Sequence, residues 1–121
     1  MQYMLLIYDR ESDMKSPPPG EQRAMMAAYR EFTDSIIKSG HLKAGDALQP
    51  TSTATTVRVR DGKTLNTDGP FAETKEQLGG YYLIEAGNLD EATKIAARIP
   101  GARTGCVEVR PVMVFSDMPR P

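Results

Sequence analysis

Two stretches near opposite ends of the chain are apolar on both of their alternating faces. In "QYMLLIY", residues 2–8, Met4, Leu6 and Tyr8 fall on one side and Tyr3, Leu5 and Ile7 on the other. The run "GYYLIEA", residues 80–86, has the same character. A strand that is apolar on both sides needs cover on both, so these two segments are expected at the centre of a sheet. Two further segments alternate as one-sided strands do. In "TTVRVRDGK", Val57 and Val59 are read as inward and Arg58 and Arg60 as outward, with an Asp-Gly turn closing the strand. In "CVEVRPVMVF", Val107 and Val109 face one way and Glu108 and Arg110 the other. Both suit the edges of a sheet. The segment "HLKAGDALQP", broken by Gly45 and Pro50, reads as an irregular strand or loop.

Between the strands lie two helical patterns. Met25, Tyr29, Phe32 and Ile36 recur at four- and three-residue steps and predict a helix over 21–39, ended by Gly40 in a left-handed conformation. "NLDEATKIAARI" predicts a second, with Leu89, Ala92, Ile95, Ala96 and Ile99 as its apolar face. Asn88 is its expected N-cap, and Glu91 the partner in a capping box. The stretch "DRESDMKSPPPGE" is expected to be an extended polar loop, and the "SDMPRP" tail to fray.

The order strand, helix, strand, strand, helix, strand points to an α+β fold, a ferredoxin-like βαββαβ sandwich forming one domain over residues 1–121. Two helices cover one face of a four-stranded sheet. Leaving the apolar side chains of the other face in water would forgo about 1.5–3 kcal/mol for each large one. A second copy packed sheet against sheet removes that loss, so a homodimer is expected.

Composition excludes several function classes. The net charge is -1 and Lys and Arg are scattered among the acids, so no nucleic-acid or anionic-membrane surface is expected. The single cysteine, Cys106, rules out an intrachain disulfide and suits a reducing cytoplasm. It reads as a small buried apolar residue rather than a reactive thiol. "YMLLIY" is too short for a signal core or a membrane span. One histidine and no CxxC pattern argue against a zinc site. The spacing of Asp68, Glu73 and Glu76 matches no recognised metal loop. No phosphate loop, dinucleotide fingerprint or G-x-S-x-G setting appears, and no cofactor is called for.

The stretch "TDGPFAETKEQLGGYYLIEA" with "GCVEVRPV" resembles the DGPF-type branch of the YCII-related family. The similarity extends through "YMLLIY", "GHLKAGDAL" and "NLDEATKIAARIPGARTG". It implies a dimeric α+β barrel built on a ferredoxin-like unit, with a small-molecule pocket between the sheets. Some YCII-related proteins resemble lyases or dehydrochlorinases that use a His–Asp pair, and DGPF-type members are often linked with extracytoplasmic-function sigma factors. For most of the family no activity is established.

The candidate chemistry centres on His41, whose place in "GHL" matches the family motif. Its imidazole is a candidate general base if a carboxylate orients it, and Asp46 or Asp68 is the expected partner. The plainer account is a histidine favoured by the helix dipole at a helix C-terminus. Asp68 can close a turn through a backbone N–H, Phe71 can anchor the loop in the core, and Gly79 and Gly80 can bend the chain. On a functional reading, Asp68 and Glu73 instead face ligand at a pocket rim. Glu108 and Arg110 share a strand face, as a structural pair or with Arg110 holding an anionic substrate group. Two functions follow. One is an enzyme-like lyase or isomerase acting on a small organic molecule near the dimer interface. The other is a non-catalytic ligand-binding or regulatory module linked with such a sigma factor.

Overall fold

A computed structural model describes residues 1–11 and 18–115. The elements are β1 (Gln2–Asp9), α1 (Pro19–Lys38), β2 (Leu42–Ala47), β3 (Thr55–Arg60), β4 (Lys63–Asp68), β5 (Gln77–Glu85), α2 (Leu89–Ala97) and β6 (Cys106–Pro111). Short 3-10 turns lie at Thr51–Thr53 and Pro100–Ala102. Residues 12–17, in the middle of "DRESDMKSPPPGE", and the "SDMPRP" tail lie outside the described residues.

The main sheet runs β2-β5-β1-β6, with every neighbouring pair antiparallel. This is the ferredoxin-like βαββαβ arrangement, and the two doubly apolar strands, β1 and β5, occupy its centre. The second sheet strand is not the expected one. The edge beside β5 is "LKAGDA", and "TTVRVR" instead forms a separate hairpin with β4. Val57 and Val59 are accordingly 60% and 59% exposed rather than inward, and the side of β3 bearing Thr56 and Arg58 is the better covered. Alternation alone specifies a two-faced strand; it does not say which face meets the core. The Asp-Gly turn is present, with φ of 52° at Asp61 and 75° at Gly62, the mirror-image turn that matches strand twist.

The core lies between the sheet and the two helices. Tyr3, Leu5 and Ile7 of β1 meet Phe32 and Ile36 of α1, Ile84 of β5, and Ala92, Ile95 and Ala96 of α2. Leu5, Ile36, Ile84 and Ile99 are fully enclosed, each stabilising the fold by roughly 1.5–3 kcal/mol. The C-terminus of α1 is closed through Gly40 at φ 80°. The His41 N–H donates to the Ile36 carbonyl and the Gly40 N–H to that of Ile37, the paired bonds of a Schellman motif. On the helix-free face, Met4, Leu6, Tyr8 and Leu83 remain half-buried within the single chain. No helix among the described residues is long and apolar enough to cross a membrane.

The segment that joins β4 to β5 departs from expectation in three ways. Phe71 does not plug into the core but is 79% exposed. The loop is fastened by Gly69 rather than Asp68: the Gly69 N–H donates to the Ala54 carbonyl, and Thr56 Oγ1 donates to the Gly69 carbonyl. Gly79 and Gly80 lie within β5 rather than at a bend before it. Ile7 pairs with Gly80 and Tyr8 with Leu78, so Gly79 is the extra residue of a bulge. Cys106, expected to be buried, is exposed at the start of edge strand β6. Its thiol contacts Glu76 at 3.7 Å, and its pKa is raised by partial burial and by that carboxylate.

Candidate functional site

A cleft of about 1140 Å³ opens where α1, the end of β2, the Thr51–Thr53 turn and the start of β5 converge. Its walls follow from local structure. Tyr29 and Thr33 lie four residues apart on α1 and so share a face. Thr33 Oγ1 and the Tyr82 hydroxyl are 2.8 Å apart, and the Tyr82 ring meets Phe32 edge-on at 5.2 Å between centroids. The Tyr29 hydroxyl accepts the Gly101 N–H at 3.1 Å, which leaves its own hydrogen free to donate. Burial raises the Tyr29 pKa, which keeps that hydrogen in place.

The mouth is tied by Glu11. Its carboxylate accepts from the Thr51 N–H at 2.7 Å and from Thr51 Oγ1 at 2.8 Å, while its own N–H donates to Gln77 Oε1 at 3.0 Å. These bonds fasten the segment after β1 to the turn at Thr51 and to the start of β5. The Leu48 N–H donates to the Gly79 carbonyl at 2.8 Å, continuing the edge pairing past β2. On the rim, the Tyr81 hydroxyl donates to Asp46 Oδ2 at 2.7 Å. That hydrogen bond, and the charge of the carboxylate, raise the Tyr81 pKa and hold its proton. Ile7, Leu48, Pro50 and Pro70 supply apolar wall, and Gly45, Gly69, Gly79 and Gly80 keep space open. A Cβ added at Gly79 would meet nothing within 4 Å.

The structure distributes the expected site residues over different places. Asp46 lines the cleft. His41 does not; it sits roughly 16 Å along the extended chain from Asp46, at about 3.3 Å per residue. Its carboxylate partner is neither Asp46 nor Asp68 but Glu91: His41 Nε2 and Glu91 Oε1 are 3.1 Å apart, and His41 Nδ1 lies 2.6 Å from Ser39 Oγ. Glu91 Oε1 also accepts the Gly87 N–H at 3.2 Å, and the Asn88 side chain accepts the Glu91 N–H at 2.9 Å. The expected cap of α2 is therefore present, but its glutamate reaches past the cap residue to Gly87 and also binds the imidazole. The bond from Gly87 and then that from His41 lower the Glu91 pKa. The chain Ser39–His41–Glu91 joins the end of α1 to the start of α2.

Asp68 ends β4 opposite Thr55, exposed, and is not part of the cleft wall, although its neighbours Gly69 and Pro70 are. Glu73 borders a smaller hollow of about 300 Å³ that shares Thr51, Pro70 and Gln77 with the main cleft. Arg110 pairs with Glu108 at 2.9 Å on the helix-free face, and the Tyr8 hydroxyl donates to the same glutamate at 3.3 Å. Burial, then Glu108, raises the Tyr8 pKa. Arg110 is thus committed to an intrachain pair away from the cleft wall. Among the described residues, no group of three or more His, Cys, Asp or Glu side chains is gathered to hold a metal ion.

Sequence reasoning missed Glu11, Thr33 and Tyr82 as wall residues, and read Tyr29 only as part of the apolar stripe. One signal was present: Tyr29 and Thr33 at a four-residue step set two hydroxyls on the covered side of a helix.

The sheet order, the inserted hairpin and the cleft together define an α+β protein of ferredoxin-like build with a partly apolar recess at one sheet edge. The YCII-related domain model matches residues 1–116, and the chain belongs to the YCII-related family. An uncharacterized protein, R00369, from Rhizobium meliloti strain 1021 is 38% identical over 117 residues, covering 95% of this chain and 94% of that protein. Among solved structures, the chain is similar to 5-chloro-2-hydroxyhydroquinone dehydrochlorinase (TftG) from Burkholderia phenoliruptrix AC1100, in complex with 2,5-dihydroxybenzoquinone. The TM-score is 0.48 and the identity 14%, covering 93% of this chain and 94% of that one.

Proposed function

We propose that the chain binds a small organic molecule in the cleft between α1 and β5, and works as a homodimer joined through the helix-free face of its sheet. The observation that carries the first part is the cleft itself: apolar wall, free hydroxyl hydrogens and a rim carboxylate converge on one recess of ligand size. The second part rests on Met4, Leu6, Tyr8 and Leu83, which the helices cannot reach. Asp46 and Tyr81 project from that same face at its edge, so a second copy would close over the rim of the cleft. The lone cysteine supports a cytoplasmic setting.

Of the acid–base groups read from the sequence, Asp46 stands at the rim of the cleft, and His41 and Asp68 do not line it. In an isomerase-type step the carboxylate would take a proton from one ligand atom and return it to another, with Tyr81 holding the carboxylate in place. A second reading, binding without turnover in a regulatory role beside a sigma factor, is favoured by one observation: His41 and its partners lie outside the cleft wall.

The test is a backbone-amide NMR screen of a small-molecule library against the wild type and Gly79→Phe. The substitution places a ring in open space and should abolish shifts around Gly45, Ser52 and Tyr82. Hits whose shifts survive it would remove the cleft as the site. For any hit that is converted, Asp46→Asn should stop conversion while shifts persist; hits that bind and are never converted favour the second reading.

A further inference from the structure

The hydroxyl groups on the helix-covered side of the cleft narrow the ligand class, an inference that rests on the cleft being the ligand site. The strand register sets the side. Leu5 pairs with Tyr82 and Ile7 with Gly80, so the Tyr82 ring stands on the face that carries Leu5 and Ile7 toward the helices. Thr33 of α1 meets the Tyr82 hydroxyl, and Tyr29 lies one turn earlier on the same helix face. A Cβ built on Gly101 would stand 2.6 Å from the Tyr29 hydroxyl oxygen and 3.1 Å from Ile7 Cγ2, so that hydroxyl lies beside Ile7 on the same side of the sheet. Asp46 and Tyr81 project to the other face and take no part.

Bonding fixes the polarity of these groups. Gly101 is buried, and its N–H needs an acceptor. The Tyr29 oxygen is that acceptor, at 3.1 Å. The second lone pair of a phenol oxygen is drawn into the ring and accepts poorly, so toward a further partner Tyr29 is a donor. The Thr33 and Tyr82 hydroxyls are 2.8 Å apart, and either can donate to the other. Whichever does, that bond uses one hydrogen of the two, and the pair can supply the second.

An N–H group brought against Tyr29 would find a committed oxygen. A carbonyl oxygen has two lone pairs and no hydrogen of its own. It accepts from Tyr29 and from the Thr33–Tyr82 pair without adding a donor that would itself need a partner. The apolar body of such a molecule lies against the Tyr82 ring, Ile7 and Pro50. We propose that the cleft takes a small ring compound through a carbonyl oxygen, with the Tyr29 hydroxyl as the group that donates to it and the Gly101 N–H as the group that holds the hydroxyl in position.

The test uses two probes of one shape: acetophenone, and 2-phenylpropene, in which a CH2 group replaces the carbonyl oxygen. Each is titrated into the full chain and followed by amide shifts at Gly45, Ser52 and Gly79. Tyr29→Phe removes the donor and keeps the ring. It should lower acetophenone affinity by roughly two- to tenfold, the range of one neutral hydrogen bond, and leave 2-phenylpropene unchanged. Circular dichroism checks that the variant folds, since the Gly101 N–H loses its acceptor. A second measurement needs no variant. In the wild type, the acetophenone methyl group should show nuclear Overhauser contacts with the ring protons of Tyr29 and Tyr82 and none with those of Tyr81. Acetophenone affinity indifferent to Tyr29→Phe, an equal loss for both probes, or contacts with Tyr81 alone overturns the donor assignment; where cleft shifts persist, the cleft remains the site. Absence of cleft shifts with both probes overturns the site and the inference together.

Discussion

Replacing Leu6 with Glu should dissociate the proposed dimer without unfolding the protomer. Leu6 sits mid-strand on the helix-free face, opposite Tyr81 on one side and Glu108 on the other. It is half-buried in the single chain. Full burial of a leucine stabilises by about 1.5–3 kcal/mol, so roughly 1 kcal/mol remains to be gained per copy on association. The two symmetry-related copies lose that together, about 2 kcal/mol. The new carboxylate also stands beside Glu108 and would have to be dried, adding at least about 2 kcal/mol. A total near 4 kcal/mol corresponds to roughly a thousandfold rise in dimer Kd. Sedimentation velocity over the micromolar range reads this directly, with circular dichroism to confirm the fold. A wild type that sediments as a monomer throughout, or a folded Leu6→Glu variant with unchanged Kd, refutes the reasoning.

Three further outcomes follow from local geometry. The Glu91 carboxyl has its pKa lowered in the folded chain, first by the Gly87 N–H and then by His41. Its contribution to stability is therefore present above the unfolded-state pKa and lost as pH falls through the lower folded one. Thermal melts should show Glu91→Gln less stable than wild type at neutral pH, with the difference closing below the ordinary carboxylate range; a constant difference across that range contradicts the linkage. Gly105→Ala would place a Cβ 1.9 Å from the Tyr8 carbonyl oxygen, a backbone atom that cannot swing aside, and should cost at least about 2 kcal/mol in denaturant unfolding. Asp46→Asn should let Tyr81 ionise at lower pH than in wild type, because the carboxylate no longer holds the phenol proton. Tyrosine ring-carbon NMR across an alkaline titration checks this, and an unmoved Tyr81 curve refutes it.

The centre of the fold was legible because β1 and β5 carry apolar residues on both alternating sides, a pattern with one comfortable position in a sheet. The helices were legible for a similar reason: Phe32 and Ile36 recur at the helical period, and Asn88 with Glu91 marks a start. The edge strand was not. "LKAGDA" has almost no apolar signal because an edge beside a cleft needs little, and its pairing uses the close approach of Gly45 to Tyr81 and Tyr82 and of Gly80 to Asp46 and Ala47. The stronger alternation of "TTVRVR" belongs to a hairpin whose valines face outward. The site was less legible still. His41 and Asp46 are near in sequence but lie along one extended segment, which separates them. Glu91 is fifty residues away and meets the imidazole only because α2 begins where α1 ends. Glu11, Thr51 and Gln77 come from three separate parts of the chain, and no spacing rule joins them.

The most direct test of the account is a crystal soaked with a fragment library that mixes amines, phenols and carboxylates. The account predicts density for a small ring compound in the cleft, against Tyr82 and Pro50. Density held instead on the helix-free face beside Leu6 and Arg110, with the cleft empty, would contradict it.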